Sequence, residues 1–176
     1  MFILSTKFYD RQVVVVAHGL LGKFLCHKLG GRTIKLLITE VEAYDGPHDK
    51  ASHAHKGKTA RNEPMFGEAG VWYVYLVYGM HNMLNIVTGP KNYPAAVLIR
   101  SVKSLSNQVA KLDGPAKLTK FLKIDRKFNG KKAVPKNNLW IEDRGVKIKK
   151  SQIKTSPRIG VDYAGEWAKK HHRFYL

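Results

Sequence analysis

The amino-acid sequence predicts a single domain of the α+β class from its length, its composition and its mixture of local patterns. The chain has 176 residues, which is about the length of one domain and enough to bury a core. Hydrophobic residues make up 44% of it, and short strand-like runs alternate with fewer helix-like runs. The only candidate linker, residues 127–138, is too short to separate domains. Residues 1–176 are therefore expected to fold as one unit.

The first half of the chain contains the clearest strand signals. The valine run at residues 13–16 favours a strand by propensity, although residues 17–25, with paired leucines, also fit a continuing helix. Residues 34–44 are predicted to form a strand. Residues 71–78 and 83–87 are predicted to pair as a β-hairpin, joined by a four-residue turn that begins at Gly79.

The second half is predicted to contain one helix and several short strands. The helix is expected to begin near Pro115, because proline suits the first helical position. Leu118, Phe121 and Leu122 have the spacing of one apolar helix face. The remaining strands are predicted at residues 97–102, 139–142 and 173–176.

The charge of the chain indicates the class of its partner. Lysine and arginine number 31 against 13 aspartate and glutamate, which gives a net charge of +18. Such a field favours nucleic acid over a membrane surface, while a merely solubilising surface is the plainer alternative. There is no basic leader and no apolar run near the roughly 20 residues that cross a bilayer. Because the single cysteine, Cys26, cannot form an internal disulfide, we expect an intracellular location.

Acidic residues are scarce, yet four of them, Glu40, Glu42, Asp45 and Asp49, lie within ten positions. Strand alternation predicts two faces, with Ile38, Glu40, Glu42 and Tyr44 on one and Leu37, Thr39, Val41 and Ala43 on the other. Neighbouring carboxylates raise each other's pKa, which suits a general base. A solvated acidic turn explains the same cluster equally well.

Histidines in the same stretch suggest a metal site. His48, His53 and His55 lie close to these carboxylates, but neither an H-x-x-x-H nor an H-E-x-x-H pattern occurs. Structural or surface histidines are therefore favoured. One rival function is a metal-dependent nuclease with the ligands Glu40, Glu42, His48 and Asp49.

The predicted hairpin is rich in aromatic residues. Tyr73 and Tyr75 share one face, and Tyr78 lies beside the turn, where burial in its own domain is difficult. In a basic protein, an aromatic residue at a hairpin tip can wedge between base pairs, while inward aromatic residues can stack on an extruded base. Ordinary core packing is the alternative, and we expect it for Trp72.

A series of short motifs extends over nearly the whole chain. They include Glu40-Val41-Glu42-Ala43-Tyr44, Ala51-Ser52-His53, Thr59-Ala60-Arg61-Asn62, Tyr73-Val74-Tyr75, Tyr78-Gly79-Met80, Gly114-Pro115-Ala116-Lys117-Leu118 and Arg158-Ile159-Gly160. Together they resemble the alkyladenine (3-methyladenine) DNA glycosylases, the monofunctional base-excision enzymes of the mammalian type. The resemblance implies a curved, mostly antiparallel sheet, flanked by helices, with a protruding β-hairpin that inserts into DNA.

The resemblance also implies a reaction. Enzymes of this family flip a damaged purine out of duplex DNA and hydrolyse its N-glycosidic bond with an activated water. By similarity, Glu42 is the general base, and Arg100 holds the water and keeps the carboxylate ionised. Neither a Schiff base nor a metal or other cofactor is implied. A non-catalytic nucleic-acid-binding protein that keeps the same fold is the alternative function.

Five further residues are implied to handle the DNA. Tyr44, His53 and Tyr75 correspond to the walls between which the flipped base stacks, and alkylated purines are cations that interact favourably with aromatic faces. Asn85 corresponds to the residue that disfavours normal guanine, and Tyr78 to the intercalating residue. The implied substrates are 3-methyladenine and also 7-methylguanine, hypoxanthine and ethenoadenine. We expect a monomer that binds duplex DNA and no membrane.

Two departures from the family pattern bear on the site. Val41 stands where the family usually has threonine, and because it is predicted to face the core we expect little effect. After Arg100 the chain continues with Ser101 and has a shorter segment up to Gly114. We expect this change to affect the support of Arg100 or the contacts with the DNA backbone.

Overall fold

The computed structural model, which describes residues 1–105 and 112–176, is built around a curled antiparallel sheet. Its strands are β1 (Phe2–Ile3), β2 (Phe24–Leu29), β3 (Arg32–Tyr44), β4 (Trp72–Val77), β5 (His81–Thr88), β6 (Ala95–Lys103), β7 (Leu112–Asp113), β8 (Leu139–Asp143), β9 (Lys154–Ser156) and β10 (Arg173–Tyr175). Seven of these strands follow the order β1-β8-β2-β3-β6-β5-β4, and the pairs between them are antiparallel. The predicted α+β class and curved antiparallel sheet are confirmed.

In the part of the chain that the structure describes, three α-helices accompany the sheet: α1 (Thr6–Tyr9), α2 (Val13–Leu20) and α3 (Pro115–Phe121). The valine run lies in α2, so the strand that its propensity favours is wrong. The buried residues of α2 recur at helical spacing and join the main core; they are Val13, Val16, Ala17 and Leu20. Their burial outweighs the weak helix propensity of β-branched residues. The helix does not continue to residue 25, because β2 begins at Phe24.

Strand β3 is the centre of the sheet and changes partner along its length. Its first half pairs with β2, its second half pairs with β10, and β6 runs along its other side. A β-bulge interrupts the β3–β6 register between Ile38 and Val41. Ile38 therefore lies in the same core as Val41 and Ala43, while Leu37 belongs to a separate cluster. The predicted faces of Ile38 and Leu37 are wrong, because one extra residue reverses the strand alternation.

Strands β4 and β5 pair as the predicted hairpin, but the turn is shorter than expected. Val77 pairs with His81, so three residues, Tyr78, Gly79 and Met80, form the turn instead of four. A three-residue turn brings Tyr78 to the tip of the hairpin. This tyrosine is 88% exposed and has a φ of +52°, which is uncommon for a residue other than glycine.

The other predicted elements are confirmed in type, with small changes at their ends. Strands β3, β6, β8 and β10 occupy the segments predicted for them, and α3 begins at Pro115. Leu118 and Leu122 are buried, whereas Phe121 is 39% exposed and so lies outside the predicted apolar face. Val41 is buried in the core, as predicted.

Two sequence features relate to the limits of the described structure. The shortened segment after Arg100 includes residues 106–111, so this prediction lies partly outside the described residues. Among residues 1–105 and 112–176, no helix is long and apolar enough to cross a membrane.

Gly70, just before β4, offers a test of how tightly the core is packed. Its φ is +82°, and a Cβ at this position would lie 2.8 Å from Cδ2 of the buried Tyr9 ring. Gly57 has a φ of +92° but no atom within 4 Å of the same point. We expect Gly70→Ala to lower the free energy of unfolding by about 1–3 kcal/mol more than Gly57→Ala, because only the first overpacks the core. Urea unfolding measures both, and equal losses would contradict the prediction.

Candidate functional site

A cavity of about 380 Å³ opens beside the hairpin, within the size range of small-molecule sites. Its walls come from β3, β4, β5 and β6 and from the loops around residues 51–53 and 159–163. Six of the seven predicted site residues line it: Tyr44, His53, Tyr75, Tyr78, Asn85 and Arg100. The fold thus brings together residues that lie up to 56 positions apart in the chain, counting from Tyr44 to Arg100.

The seventh residue, Glu42, lies directly behind the cavity wall. Its side chain is fully buried, and each of its three partners lines the cavity. The Tyr44 hydroxyl donates to Oε2 at 2.9 Å, the Ile159 N–H donates to Oε1 at 2.9 Å, and Arg100 Nη1 is 3.3 Å from Oε1. A carboxylate has about four acceptor sites, so Glu42 keeps one for a further donor such as water.

Two opposing effects act on the pKa of Glu42: burial in the protein and hydrogen-bond donors nearby. Burial raises the pKa of this carboxyl above its usual range, while the Arg100 guanidinium, the Ile159 N–H and the Tyr44 hydroxyl oppose the rise. Burial, rather than the neighbouring Glu40, is thus the main cause of the shift. A carboxylate with a raised pKa is a better proton acceptor, which is what a general base requires.

Arg100 bridges the two glutamates of β3. Its Nε donates to Glu40 Oε1 at 3.0 Å, and its Nη1 approaches Glu42. Glu40 also accepts from Ser101 Oγ at 2.7 Å and from Arg173 Nη1 at 3.3 Å. Glu40 therefore orients the guanidinium instead of forming a proton-sharing pair with Glu42.

Aromatic rings form one side of the cavity. The centroids of His53 and Tyr75 are 4.5 Å apart, and those of Tyr73 and Tyr75 are 5.1 Å apart. His53 Nδ1 lies 3.0 Å from the Tyr73 hydroxyl. Burial and the nearby Arg61 lower the pKa of His53, while burial raises the pKa of Tyr73 to about 12. A neutral imidazole that accepts a hydrogen bond from the tyrosine hydroxyl at Nδ1 carries its own proton at Nε2.

The side chain of Asn85 is held in one orientation by the hairpin backbone. Its Nδ2 donates to the carbonyl oxygens of Tyr73 at 3.1 Å and Met83 at 3.3 Å. Both amide hydrogens are thereby used. The polar atom of Asn85 that remains for a ligand is the acceptor Oδ1.

Tyr78 lies at the rim of the cavity. It is highly exposed, and its left-handed backbone costs free energy for a residue other than glycine. Strain of this kind clusters at sites that contact ligands. The conformation of Tyr78 therefore favours a functional contact at the hairpin tip.

Two residues at the site were assigned differently or missed by sequence reasoning. Asp49, which the interpretation of the acidic cluster as a solvated turn would expose to water, is fully buried and forms a bidentate ion pair with Arg158. Ile159, which the sequence marks only as part of a motif, supplies the N–H that donates to Glu42. Asp49 and Arg158 are 109 positions apart, so residue spacing offers no signal of their contact.

Among the described residues there is no group of three or more histidine, cysteine, aspartate or glutamate side chains that could hold a metal ion. Of the ligands considered for a nuclease, Glu40 and Glu42 bind Arg100, and Asp49 binds Arg158. His48 is exposed on the 3-10 turn that precedes Asp49. The geometry of these residues does not support the nuclease alternative.

Comparison with known proteins identifies close relatives. A sequence model of the methylpurine-DNA glycosylase family matches residues 7–176. A protein of Methanocella arvoryzae, named as a candidate 3-methyladenine DNA glycosylase, is 47% identical over 99% of this chain and 92% of its own length. Proteins of the same name from Psychrobacter cryohalolentis and Legionella pneumophila are 40% and 42% identical, over 93% and 98% of this chain and 87% and 93% of their own lengths.

The buried Glu42 leads to a prediction about stability. Because the folded pKa is raised, the proton stabilises the folded state at pH values below the unfolded pKa, and this contribution is lost as the pH rises. Glu42→Gln lacks the titration. Its amide oxygen can still accept from the Ile159 N–H, its NH2 group can donate to the Tyr44 hydroxyl, and Arg100 keeps Glu40 as a partner. We expect the unfolding free energy of Glu42→Gln, relative to wild type, to increase as the pH rises from about 4 to 8. Urea unfolding at several pH values measures it.

Asp143 provides a control of opposite sign. Its hydrogen bond from Lys23, at 2.5 Å, lowers the pKa of this carboxyl. The resulting stabilisation is present above the unfolded pKa and is lost as the pH falls. Asp143→Asn should therefore lose stability relative to wild type as the pH rises towards the unfolded pKa of about 4, and the difference should stay constant from there to about pH 8. A difference between Glu42→Gln and wild type that does not change with pH would contradict the prediction for Glu42.

Proposed function

We propose that this protein excises 3-methyladenine and related purines from duplex DNA by direct hydrolysis. The chain belongs to the methylpurine-DNA glycosylase family and is a DNA N-glycosylase of DNA repair. The observation that carries the proposal is the buried Glu42, whose partners all line a cavity walled by aromatic rings. A carboxylate that can act as general base, beside an aromatic cavity that can hold a nucleobase, suits a reaction on a flipped nucleotide.

In the proposed reaction, a water is held between Glu42 and Arg100. Glu42 accepts a proton as the water oxygen bonds to C1′ of the sugar. The electron pair of the glycosidic bond leaves with the purine, so that the products are the free base and an abasic sugar. A cationic alkylated purine becomes neutral as it departs, and it therefore needs no acid. The DNA strand stays uncut, because no enzyme amine bonds to C1′.

The aromatic walls are proposed to select cationic purines. Tyr44, Tyr75 and His53 stack on the flipped base, and each cation–aromatic contact contributes on the order of 0.5–2 kcal/mol. The lowered pKa of His53 supports this role, because a neutral ring avoids repulsion of a cationic base. Asn85 is proposed to crowd the amino group of normal guanine. 7-Methylguanine, hypoxanthine and ethenoadenine are included among the proposed substrates. 7-Methylguanine is a cation and leaves as 3-methyladenine does, whereas the neutral bases hypoxanthine and ethenoadenine take a proton from water as they leave and lack the cation–aromatic contribution.

Tyr78 is proposed to fill the gap that the flipped nucleotide leaves. Unstacking costs a few kcal/mol, and an inserted ring offsets part of that cost. The net charge of +18 supports the approach to the phosphate backbone. We propose that residues 1–176 act as a single domain and as a monomer on DNA inside the cell.

Base release from alkylated duplex DNA tests the mechanism. In the presence of EDTA, wild type should release 3-methyladenine without cutting the strand, and Glu42→Gln should be at least about 100-fold slower, since general-base catalysis contributes that much. Asp143→Asn, which neutralises an acid outside the cavity, should react like wild type. Equal release by Glu42→Gln and wild type would remove Glu42 from the reaction. If wild type and the variants all bind DNA but none of them releases the base, the non-catalytic alternative would be favoured.

Insertion of Tyr78 is tested by its dependence on the duplex. We expect Tyr78→Ala to slow single-turnover excision from duplex DNA by about tenfold, the equivalent of roughly 1.4 kcal/mol. Excision from single-stranded DNA should change much less, because no stack has to be opened. Phe2→Ala is a matched control, since Phe2 is 68% exposed on β1, at the other end of the strand order. Equal slowing on duplex and single strands would argue against insertion.

A further inference from the structure

We propose that the buried Asp49–Arg158 ion pair positions Glu42, by fixing the Ile159 N–H and the Tyr44 ring against its carboxylate. The inference rests on the proposed function, in which Glu42 is the general base. Neither member of the pair lines the cavity, so they act as positioning residues and touch no substrate.

The pair is held on both sides by further hydrogen bonds. Both side chains are fully buried, and Arg158 Nη2 donates to Asp49 Oδ1 at 2.8 Å while Nη1 donates to Oδ2. Asp49 also accepts from the backbone N–H groups of Asp45 at 3.1 Å and Ala51 at 3.0 Å. Arg158 donates to the carbonyl oxygens of Ala43 at 2.8 Å and Trp167 at 3.1 Å. The guanidinium thus joins β3 to two separate loops.

The pair reaches the donors of Glu42 through two short routes. Arg158 binds the carbonyl of Ala43, the residue after Glu42, and it directly precedes Ile159, whose N–H binds Glu42. Arg158 Cζ also lies 4.7 Å from the centroid of the Tyr44 ring, whose hydroxyl donates to Glu42. Two of the three groups that hold Glu42 therefore depend on where Arg158 lies.

Stability alone does not explain the buried Asp49–Arg158 pair. A buried ion pair contributes little compared with apolar residues of similar volume, because both ions lose their hydration. Arg158 Nε is in addition buried without a hydrogen-bond partner among the described residues. Arg158 binds the residue that follows Glu42 and precedes the residue whose N–H binds Glu42. This placement favours a role in positioning over a purely structural one.

The charges of the pair give the test its direction. Asp49→Asn leaves the Arg158 cation without its counter-charge, which favours the ionised form of Glu42 and lowers its pKa. Arg158→Met leaves the Asp49 carboxylate instead, which raises the pKa of Glu42. The other charged or titratable groups around Glu42 and the pair, among the described residues, include Glu40, Tyr44, Asp45, Tyr75, Arg100, Tyr163, His172 and Arg173. These groups are unchanged in both variants.

The Ile159 amide reports the protonation of Glu42 without any substrate, because its N–H donates to that carboxylate. We expect its NMR shift to titrate at a pH lower than wild type in Asp49→Asn and higher in Arg158→Met, each by about one unit. Asp143→Asn, which breaks an ion pair outside the site, should titrate like wild type. Coincident midpoints in the folded variants would overturn the proposal.

A double variant covers the case in which a single neutralisation prevents folding. Asp49→Asn/Arg158→Met removes both charges together, so the midpoint should stay near that of wild type. The amplitude of the Ile159 titration and the plateau rate of base release should both fall, the rate by about tenfold, since a slightly misplaced base loses this much. Wild-type amplitude and rate in the double variant would overturn the proposal. No base release by wild type would refute the proposed function, while the amide titration would still test the positioning.

Discussion

The structure depends on keeping one carboxylate out of water. Glu42 is fully buried, so the hydration that it loses has to be replaced by fixed donors. These donors come from the same strand, from the neighbouring strand β6 and from the loop that follows β9. Because each donor must lie in register with this carboxylate, Glu42 links three separate segments of the chain.

The bulge in β3 makes it possible for one strand to serve both the core and the site. Without it, Ile38 would share a face with Glu40 and Glu42, and either an apolar residue or a carboxylate would be misplaced. The extra residue reverses the alternation, so that Ile38 and Val41 both enter the core. The two glutamates then face Arg100 together. The partner change of β3, from β2 to β10, occurs at the same place.

Local signals in the sequence were sufficient to predict much of the fold and part of the site. The hairpin, the strand that contains Glu42 and the common face of Glu42 and Tyr44 follow from residues close together in the chain. The helical valine run did not, because packing against the sheet overrides its propensity. The bulge has no residue signature of its own. An aspartate such as Asp49 looks the same whether it is solvated or paired with a distant arginine.

The distance along the chain between Glu42 and its partners has a consequence for biosynthesis. The Ile159 N–H lies 117 positions after the carboxylate that it binds, and Arg173 lies 133 positions after Glu40. Contacts of such separation form late and slowly, because a long loop must close first. On the ribosome, the early-made strand β3 therefore waits, with its carboxylates still hydrated, until nearly the whole chain has emerged. The Glu42 carboxylate then gains its last donor in one late step, and a nascent chain that ends before residue 159 lacks the Ile159 N–H.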